Sequence, residues 1–263
     1  MNEFKRGIKN QDFIQKLKTN KYWINIAKDE NLFIAIHKEV IHVYYFGQRI
    51  CEIKFLVRSK KLKWKTHQKY LGIQGNKYVD MENYLDKIED IKAAAKKHGG
   101  REKEEVKRNI LENKNYCILD VEITFGKEEE FEKRSIDFLA LEKSKEGKPK
   151  LVFYEAKHCK NSEIKATDKP KVFDQIEKYE NTLNDSNHIK EIFESYKIIY
   201  ENIIALDLPI KDKLISIIGE TYDDIEIDIK PRLIIFKYDP KKLQDIHLEK
   251  LQNKFGYDRV ILN

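Results

Sequence analysis

Apolar and β-branched residues come in short, closely spaced runs in the first third of the chain. Residues 8–19 have a helical pattern that places Phe13, Ile14 and Leu17 on one side. Alternating or continuous apolar runs follow, and the Gly47-Gln48 link between the last two is short enough for a hairpin. This spacing predicts an antiparallel meander in a small β-rich domain over residues 1–78. The predicted strands cover residues 22–27, 32–36, 40–46 and 49–56.

The pattern changes to mixed helices and strands after residue 78. Residues 81–98 and 101–112 are predicted helices separated by Gly99-Gly100, so 79–100 is interpreted as a helical linker. Residues 101–263 then form a second predicted domain of α/β class, a mixed sheet flanked by helices. Its predicted strands cover residues 116–125, 134–141, 150–158, 231–238 and 259–263. Its further helices run from Pro170 to about Leu183, over 188–204 and over 240–255.

One strand of the second domain alternates between apolar and polar residues. In residues 116–125, Asp120, Glu122 and Thr124 share one face, which predicts a strand with one polar side. Residues 222–228 are acidic and are interpreted as a surface loop.

Charge is distributed unevenly along the chain. Residues 1–78 contain 17 Lys and Arg against 6 Asp and Glu, a formal charge of +11, whereas the remaining residues contain 34 against 39, or −5. A basic front region indicates a polyanionic partner. The three cysteines are widely spaced and form no CxxC pair, which favours reduced thiols in a cytoplasmic protein. No apolar run is long enough to span a membrane, and no phosphate-binding Gly-x-x-x-x-Gly-Lys-Ser/Thr motif is present.

Within the basic region, lysines alternate with aromatic residues over residues 58–70. Lysines can neutralise phosphates while aromatic rings stack on bases, so this segment is a predicted nucleic-acid surface. The alternative is an edge strand that lysines protect from aggregation. The predicted contact residues are Lys60, Lys61, Lys63, Trp64, Lys65 and Lys69.

Ionisable residues occupy the middle of two strands that are otherwise apolar. Asp137 lies in the strand at 134–141, and Glu155 and Lys157 lie on one face of the strand at 150–158. Buried charges need compensation, and a divalent metal ion held by two carboxylates provides it. The Glu-x-Lys pattern alone has little weight, because it recurs along this chain. Glu52-Ile-Lys54 also lies in a strand, but no acidic strand precedes it.

The order of these elements resembles the PD-(D/E)XK nuclease superfamily, which has the restriction-endonuclease-like fold. The resemblance covers residues 100–263: an acidic helix, a hairpin with Asp137, the Glu155-Ala-Lys157 strand and a following helix. In that helix, Gln175 and Tyr179 resemble the Gln-x-x-x-Tyr element of the RecB-like branch and share one helical face. The proline that usually precedes the aspartate in this family is Ile136 here.

The resemblance implies residue roles. Asp137, Glu155 and the carbonyl of Ala156 would hold Mg²⁺ or Mn²⁺, and Lys157 would orient the attacking water or neutralise charge. Gln175 and Tyr179 would help to hold substrate or the lysine.

The family often takes a further acidic residue from its first helix, and the sequence leaves its identity open. The alternatives are Glu105 or its neighbour Glu104, Glu122 of the first strand, and a histidine at position 98.

We therefore expect a metal-dependent nuclease that acts on DNA, in a setting such as bacterial restriction or antiphage (antiviral) defence. Two alternatives stay open: a catalytically silent nucleic-acid-binding or interaction module on a nuclease scaffold, and an RNA-cleaving nuclease. A homo-oligomer or a partner protein of a defence system is compatible with either.

Overall fold

The structure is a computed structural model that describes residues 4–98, 102–125, 135–166, 168–219, 222 and 224–263. It contains two compact units. The antiparallel unit comprises Lys5–Lys114 and Glu194–Tyr222, and the mixed-sheet unit comprises Phe4, Asn115–Phe193 and Asp223–Asn263. The predicted boundaries after residues 78 and 100 stay a prediction, and these units divide the chain at other positions. Within the described ranges, no helix is both long and apolar enough to cross a membrane.

The antiparallel unit is built on a five-stranded meander in the order β1-β2-β3-β4-β5. The hairpin β2–β3 turns at Gly47, which has φ +74°, and all four neighbouring pairs are antiparallel, which confirms the predicted meander. The strands are β1 (Phe33–His37), β2 (Val40–Tyr45), β3 (Gln48–Leu56), β4 (Lys61–His67) and β5 (Tyr78–Asp80).

Two short helices precede this sheet. In α1 (Gln11–Lys18), Phe13, Ile14 and Leu17 are all buried, as the helical pattern predicts. The strand prediction for residues 22–27 is wrong, because this segment is helix α2 (Lys21–Ala27). The side chain of Asn20 accepts hydrogen bonds from the backbone N–H groups of Tyr22 and Trp23. That N-cap stabilises a helix in a short apolar run whose hydrophobic pattern fits either structure.

The rest of the antiparallel unit differs from its prediction in detail. The predicted helix at 81–98 begins as a 3₁₀ helix, Glu82–Lys87, and becomes α3 (Ile88–His98) only afterwards. Strand β5 was not predicted, and it means that β4 lies between two strands rather than at an edge. Helices α4 (Glu102–Glu112) and α7 (Lys211–Ile218) complete this unit, and α7 was also missed. The predicted break at Gly99-Gly100 lies outside the described residues.

The mixed-sheet unit has the strand order β10-β9-β8-β7-β6. Strands β6, β7 and β8 pair antiparallel, whereas β9 is parallel to β8 and β10 is parallel to β9. This confirms an α/β protein with a mixed sheet. The strands are β6 (Cys117–Ile123), β7 (Ile136–Lys143), β8 (Pro149–His158), β9 (Glu226–Phe236) and β10 (Val260–Leu262). Arg134, predicted to lie in β7, is outside the described residues.

Two predictions for this sheet need correction. The predicted polar face of residues 116–125 is confirmed only in part, because Thr124 is exposed and Glu122 half-buried but Asp120 is fully buried. Residues 226–228, interpreted as loop, belong to β9, which continues across Pro231. Proline cannot donate to a strand ladder, and the β8–β9 pairing shifts between Val152 and Tyr154, opposite this position.

Helices α5 (Lys171–Leu183) and α8 (Asp245–Phe255) pack on β9 and β10. Val172, Phe173 and Ile176 of α5 share a buried cluster with Leu233 and Ile235 of β9. Helix α6 (Ser186–Ala205) contains the division between the units. The three cysteines are buried and free, as the prediction of reduced thiols requires.

Candidate active site

Asp137 and Glu155 come from facing positions of the β7–β8 hairpin. Phe138–Tyr154 is the last register pair of the β7–β8 ladder, and Asp137 and Glu155 are the residues directly beyond it on the two strands, opposite each other. The backbone N–H of Ala156 donates to Asp137 Oδ2 at 2.8 Å. Strand alternation places the two carboxyls on one face and the stacked rings of Phe138 and Tyr154 on the other. The two acids predicted from separate strands therefore belong to one site.

Lys157 is buried beside these acids. Its ammonium lies 2.7 Å from Glu155 Oε1 and 2.6 Å from Glu163 Oε2. Glu155 and Lys157 pair with Leu233 and Ile235 of the parallel strand β9, so they lie on the sheet face that α5 and α8 cover. The predicted Glu-x-Lys pair is thus held inside the unit by the ladder with β9, while the last register pair with β7 lies one residue before Glu155, at Tyr154.

Burial shifts the pKa of Glu155 upward and that of Lys157 downward, and the neighbouring charges modify both shifts. Burial, followed by the neighbouring Asp137, raises the pKa of Glu155 to about 8, although Lys157 acts to lower it. Burial acts to lower the pKa of Lys157, but Glu155, Glu163 and Asp137 outweigh it and raise that pKa above its usual value. The lysine is therefore charged near neutral pH, and the carboxyl of Glu155 gives up its proton less readily than an exposed glutamate does.

One oxygen of Glu155 lacks a hydrogen-bond partner. Glu155 Oε2 is buried with no partner, and so is Gln175 Oε1 on α5. A buried oxygen without a donor is costly, and a hard cation is one species that satisfies it. In the part of the chain that the structure describes, no three Asp, Glu, His or Cys side chains form a metal site by themselves. A pair of carboxyls is a donor set that Mg²⁺ accepts, because this ion commonly takes one or two carboxylates and fills its other positions with water and substrate oxygens.

The two predicted α5 residues lie on the same side of the helix, at i and i+4. The Tyr179 hydroxyl donates to the backbone carbonyl of Ser135 at 3.1 Å, directly before β7. Tyr179 therefore anchors the strand that carries Asp137. Gln175 is half-buried and contributes the unpartnered oxygen described above.

Of the alternatives for a further acid, Glu122 belongs to the same sheet as Asp137. Val121 pairs with Phe138 and Ile123 with Ile136, which places Glu122 beside Asp137. Glu122 also has φ +56°, an uncommon backbone conformation for a residue with a side chain, and such strain recurs at functional sites.

Glu104, Glu105 and His98 belong to the other unit. Glu105 forms an ion pair with Arg108 at 3.7 Å, and His98 makes an edge-on ring contact with Tyr70. The structure therefore supplies a positional argument for Glu122 and none for these three.

Sequence reasoning missed Glu163. It lies in a 3₁₀ turn, Ser162–Ile164, directly after β8, where the side chain of Asn161 accepts a hydrogen bond from the Glu163 N–H at 2.8 Å. Asn161 thus has the turn-forming role that its type predicts. Nothing in the sequence distinguishes Glu163 from other glutamates in polar loops. It reaches Lys157 only because the turn after β8 folds back toward that strand.

The predicted nucleic-acid segment separates into two groups in the structure. Lys61, Lys63 and Lys65 alternate with buried residues along β4 and share its less buried face. Lys63 lies directly opposite Lys54 of β3, whose charge Glu52 already offsets at 3.0 Å.

The remaining predicted contact residues are engaged elsewhere. Trp64 points into the core and is only 2% exposed, so its ring is not available to stack on a base. Lys60 lies 3.7 Å from Asp12, and Lys69 donates to Gln48 Oε1 at 3.1 Å. The surface available to a polyanion is therefore the lysine row of β4, without the tryptophan.

Comparisons of the chain with protein families, with curated proteins and with solved structures found no match. The assignment of a function therefore rests on the geometry of the residues described above.

Proposed function

We propose that the mixed-sheet unit is a metal-dependent phosphodiesterase that hydrolyses nucleic acid, with DNA favoured as substrate. The observation that carries the proposal is the arrangement of Glu155. One oxygen of this buried carboxyl contacts Lys157, the other has no hydrogen-bond partner, and Asp137 occupies the facing position of the next strand. Two acids and a lysine in this order are what the PD-(D/E)XK resemblance leads one to expect.

The surroundings of the site support the same proposal. The hairpin β7–β8 is followed by α5, which contributes Gln175 and Tyr179, and, after α6 and α7, by the parallel strand β9. That chain order agrees with the restriction-endonuclease-like fold that the sequence suggests.

Each residue has a role in this proposal. Asp137, Glu155 and the Ala156 carbonyl would hold Mg²⁺ or Mn²⁺, which supplies a water of lowered pKa and offsets charge on the phosphate. Lys157 would donate hydrogen bonds to the attacking water or to the phosphate oxygens in the transition state. Tyr179 anchors the start of β7, and Gln175 would orient the substrate.

The lysine row of β4 supports nucleic acid as the substrate. Lysines that neutralise phosphates bind without regard to sequence and equally to DNA and RNA. DNA remains the favoured substrate, and a role in restriction or antiphage defence, with or without a partner protein, belongs to the same proposal.

A second function has one observation in its favour. Lys157 is already held by two carboxylates, so this ion network could serve only to stabilise a binding module. In that case the protein would bind nucleic acid and cleave nothing.

The experiment that separates these functions compares cleavage of plasmid DNA, linear DNA, single-stranded DNA and RNA in Mg²⁺, Mn²⁺ or EDTA. Wild type is compared with Asp137→Asn, and with Glu177→Gln, which changes an exposed glutamate of α5, as the matched control. Products that need the metal and disappear only in Asp137→Asn support the nuclease. Salt-sensitive binding without products from any substrate supports the silent module.

A further inference from the structure

Glu163 contacts Lys157, yet the roles assigned above do not use it. Its Oε2 lies 2.6 Å from the Lys157 ammonium, as close as Glu155 Oε1 at 2.7 Å. Its side chain is one-third exposed, so water could solvate it without this contact. The Asn161 side chain accepts a hydrogen bond from the Glu163 backbone N–H. This bond fixes the backbone position from which the Glu163 side chain extends to Lys157.

The formal charges explain why a third carboxylate is useful here. With all carboxyls ionised, Asp137, Glu155 and Glu163 contribute −3 and Lys157 contributes +1, so the cluster has a formal charge of −2. A divalent cation balances that charge. Without Glu163 the formal charge would be −1, and the same cation would leave an excess positive charge in a buried place, which is unfavourable.

We propose that Glu163 is a positioning residue that retains the Lys157 ammonium when a divalent cation takes Glu155. The inference rests on the proposed metal-dependent function and adds a residue to it. In the present arrangement Lys157 shares its protons between two carboxylates. When the cation binds Glu155, the contact with Glu163 keeps the Lys157 ammonium beside the site. The ammonium then does not compete with the cation for Glu155.

This role predicts a specific coupling between two residues. In Glu163→Gln the ammonium has Glu155 as its only carboxylate partner, so it competes with the cation and metal affinity falls. In a Lys157→Met background there is no ammonium to retain, so Glu163→Gln has a much smaller effect. A double-mutant cycle measures this difference.

The readout is the rise in melting temperature with increasing Mn²⁺, measured on the whole protein without substrate, from which an apparent Kd is obtained. We expect Glu163→Gln to raise that Kd by about fivefold to tenfold in wild type and by about twofold or less beside Lys157→Met. Glu177→Gln, the exposed control on α5, leaves the Kd unchanged. In cleavage assays at saturating Mn²⁺, Glu163→Gln lowers kcat more than it raises KM, because it misplaces a group that acts in the transition state.

The outcomes separate this inference from the proposed function. If wild type binds Mn²⁺ and cleaves while Glu163→Gln has the same Kd, the inference is overturned and the nuclease stands. An equal effect of Glu163→Gln in both backgrounds also overturns it, since that indicates attraction between Glu163 and the cation without Lys157. If wild type shows neither a metal-dependent stabilisation nor cleavage, both are overturned.

Discussion

The chain contains the same Glu-x-Lys pattern on one strand of each sheet, and the two copies differ in burial and in the charges around them. Glu52 and Lys54 of β3 lie 3.0 Å apart, with side chains 14% and 49% exposed. Glu155 and Lys157 of β8 lie 2.7 Å apart, with side chains 4% and 10% exposed. A strand period of two explains the pairing in both places, so spacing alone cannot identify a functional site.

Their surroundings shift the glutamate pKa in opposite directions. Burial acts to raise the pKa of Glu52, but Lys54, His42 and Arg49 outweigh it and lower that pKa. Around Glu155, burial is more complete and the nearby Asp137 adds a second negative charge, so the pKa rises to about 8. Glu52 is therefore a half-buried carboxylate stabilised by neighbouring cations, whereas Glu155 is a buried acid that binds a cation or a proton.

The largest predicted difference between the two pairs is in cleavage. We expect Lys157→Ala to lower the rate by about 10²-fold to 10³-fold, the usual effect of removing one group that stabilises transition-state charge. Lys54→Ala, the matched lysine of the other pair, is expected to stay within about twofold of wild type. Rates on the preferred substrate at saturating Mn²⁺ check this. Equal losses for the two variants would contradict the assignment of the site to β8.

The pH dependence of stability should have opposite signs at the two glutamates. Because the folded pKa of Glu155 lies above its unfolded value, its contribution is complete below about pH 4.5 and is lost as pH rises to about 8. Each unit of that pKa difference corresponds to about 1.4 kcal/mol. Glu52 contributes above its unfolded pKa and loses this contribution as the pH falls through its lowered folded value.

Urea denaturation between pH 4 and 9 in EDTA tests these signs. Glu155→Gln should flatten the decline of wild type above pH 5, since glutamine resembles the neutral acid. Glu52→Gln should keep that decline and be less stable than wild type near neutral pH. If Glu155→Gln shows the same dependence of unfolding free energy on pH as wild type, the pKa of Glu155 is not raised in the folded protein.

A smaller loss of cleavage should show whether Glu122 or Glu105 is the further acidic residue of the site. Glu122→Gln is expected to lower cleavage by about tenfold, because Glu122 lies beside Asp137 in the ladder. Glu105→Gln, in the other unit, should leave cleavage near wild type. Kinetics of the two variants at several Mn²⁺ concentrations check this, and a loss confined to Glu105→Gln would reverse the choice.

The smallest predicted effect concerns the lysine row of β4. Lys63→Ala should lower the slope of log K against log salt by about 0.9 for duplex DNA, since one phosphate contact is lost. Trp64→Phe should leave the slope unchanged because this ring is buried. Lys254→Ala, an exposed lysine of α8, is the control. Binding isotherms at four salt concentrations suffice, and an unchanged slope in Lys63→Ala would remove β4 from the proposed surface.

Local patterns predicted most of the elements. Hydrophobic alternation located β1 to β3, and the order of strands and helices from residue 116 onward predicted an α/β sheet with a hairpin start. The pattern failed where a short apolar run suits two structures, as in α2, which the Asn20 cap decides. It also failed at Pro231, where the strand continues across a residue that usually ends one.

Residue types and their order along the chain determined which groups could perform chemistry here: an acid on each of two adjacent strands and a lysine two residues after the second. Tertiary structure alone decided which Glu-x-Lys pair is buried, which acid lies beside Asp137, and that Glu163 reaches Lys157. The physical reason is that the residue type alone determines which side chains can carry a charge. Whether such a side chain is buried, and which other charges lie near it, depends on the pairing of strands that are distant in the sequence. A pattern of two residues therefore has its chemical meaning only inside the sheet that surrounds it.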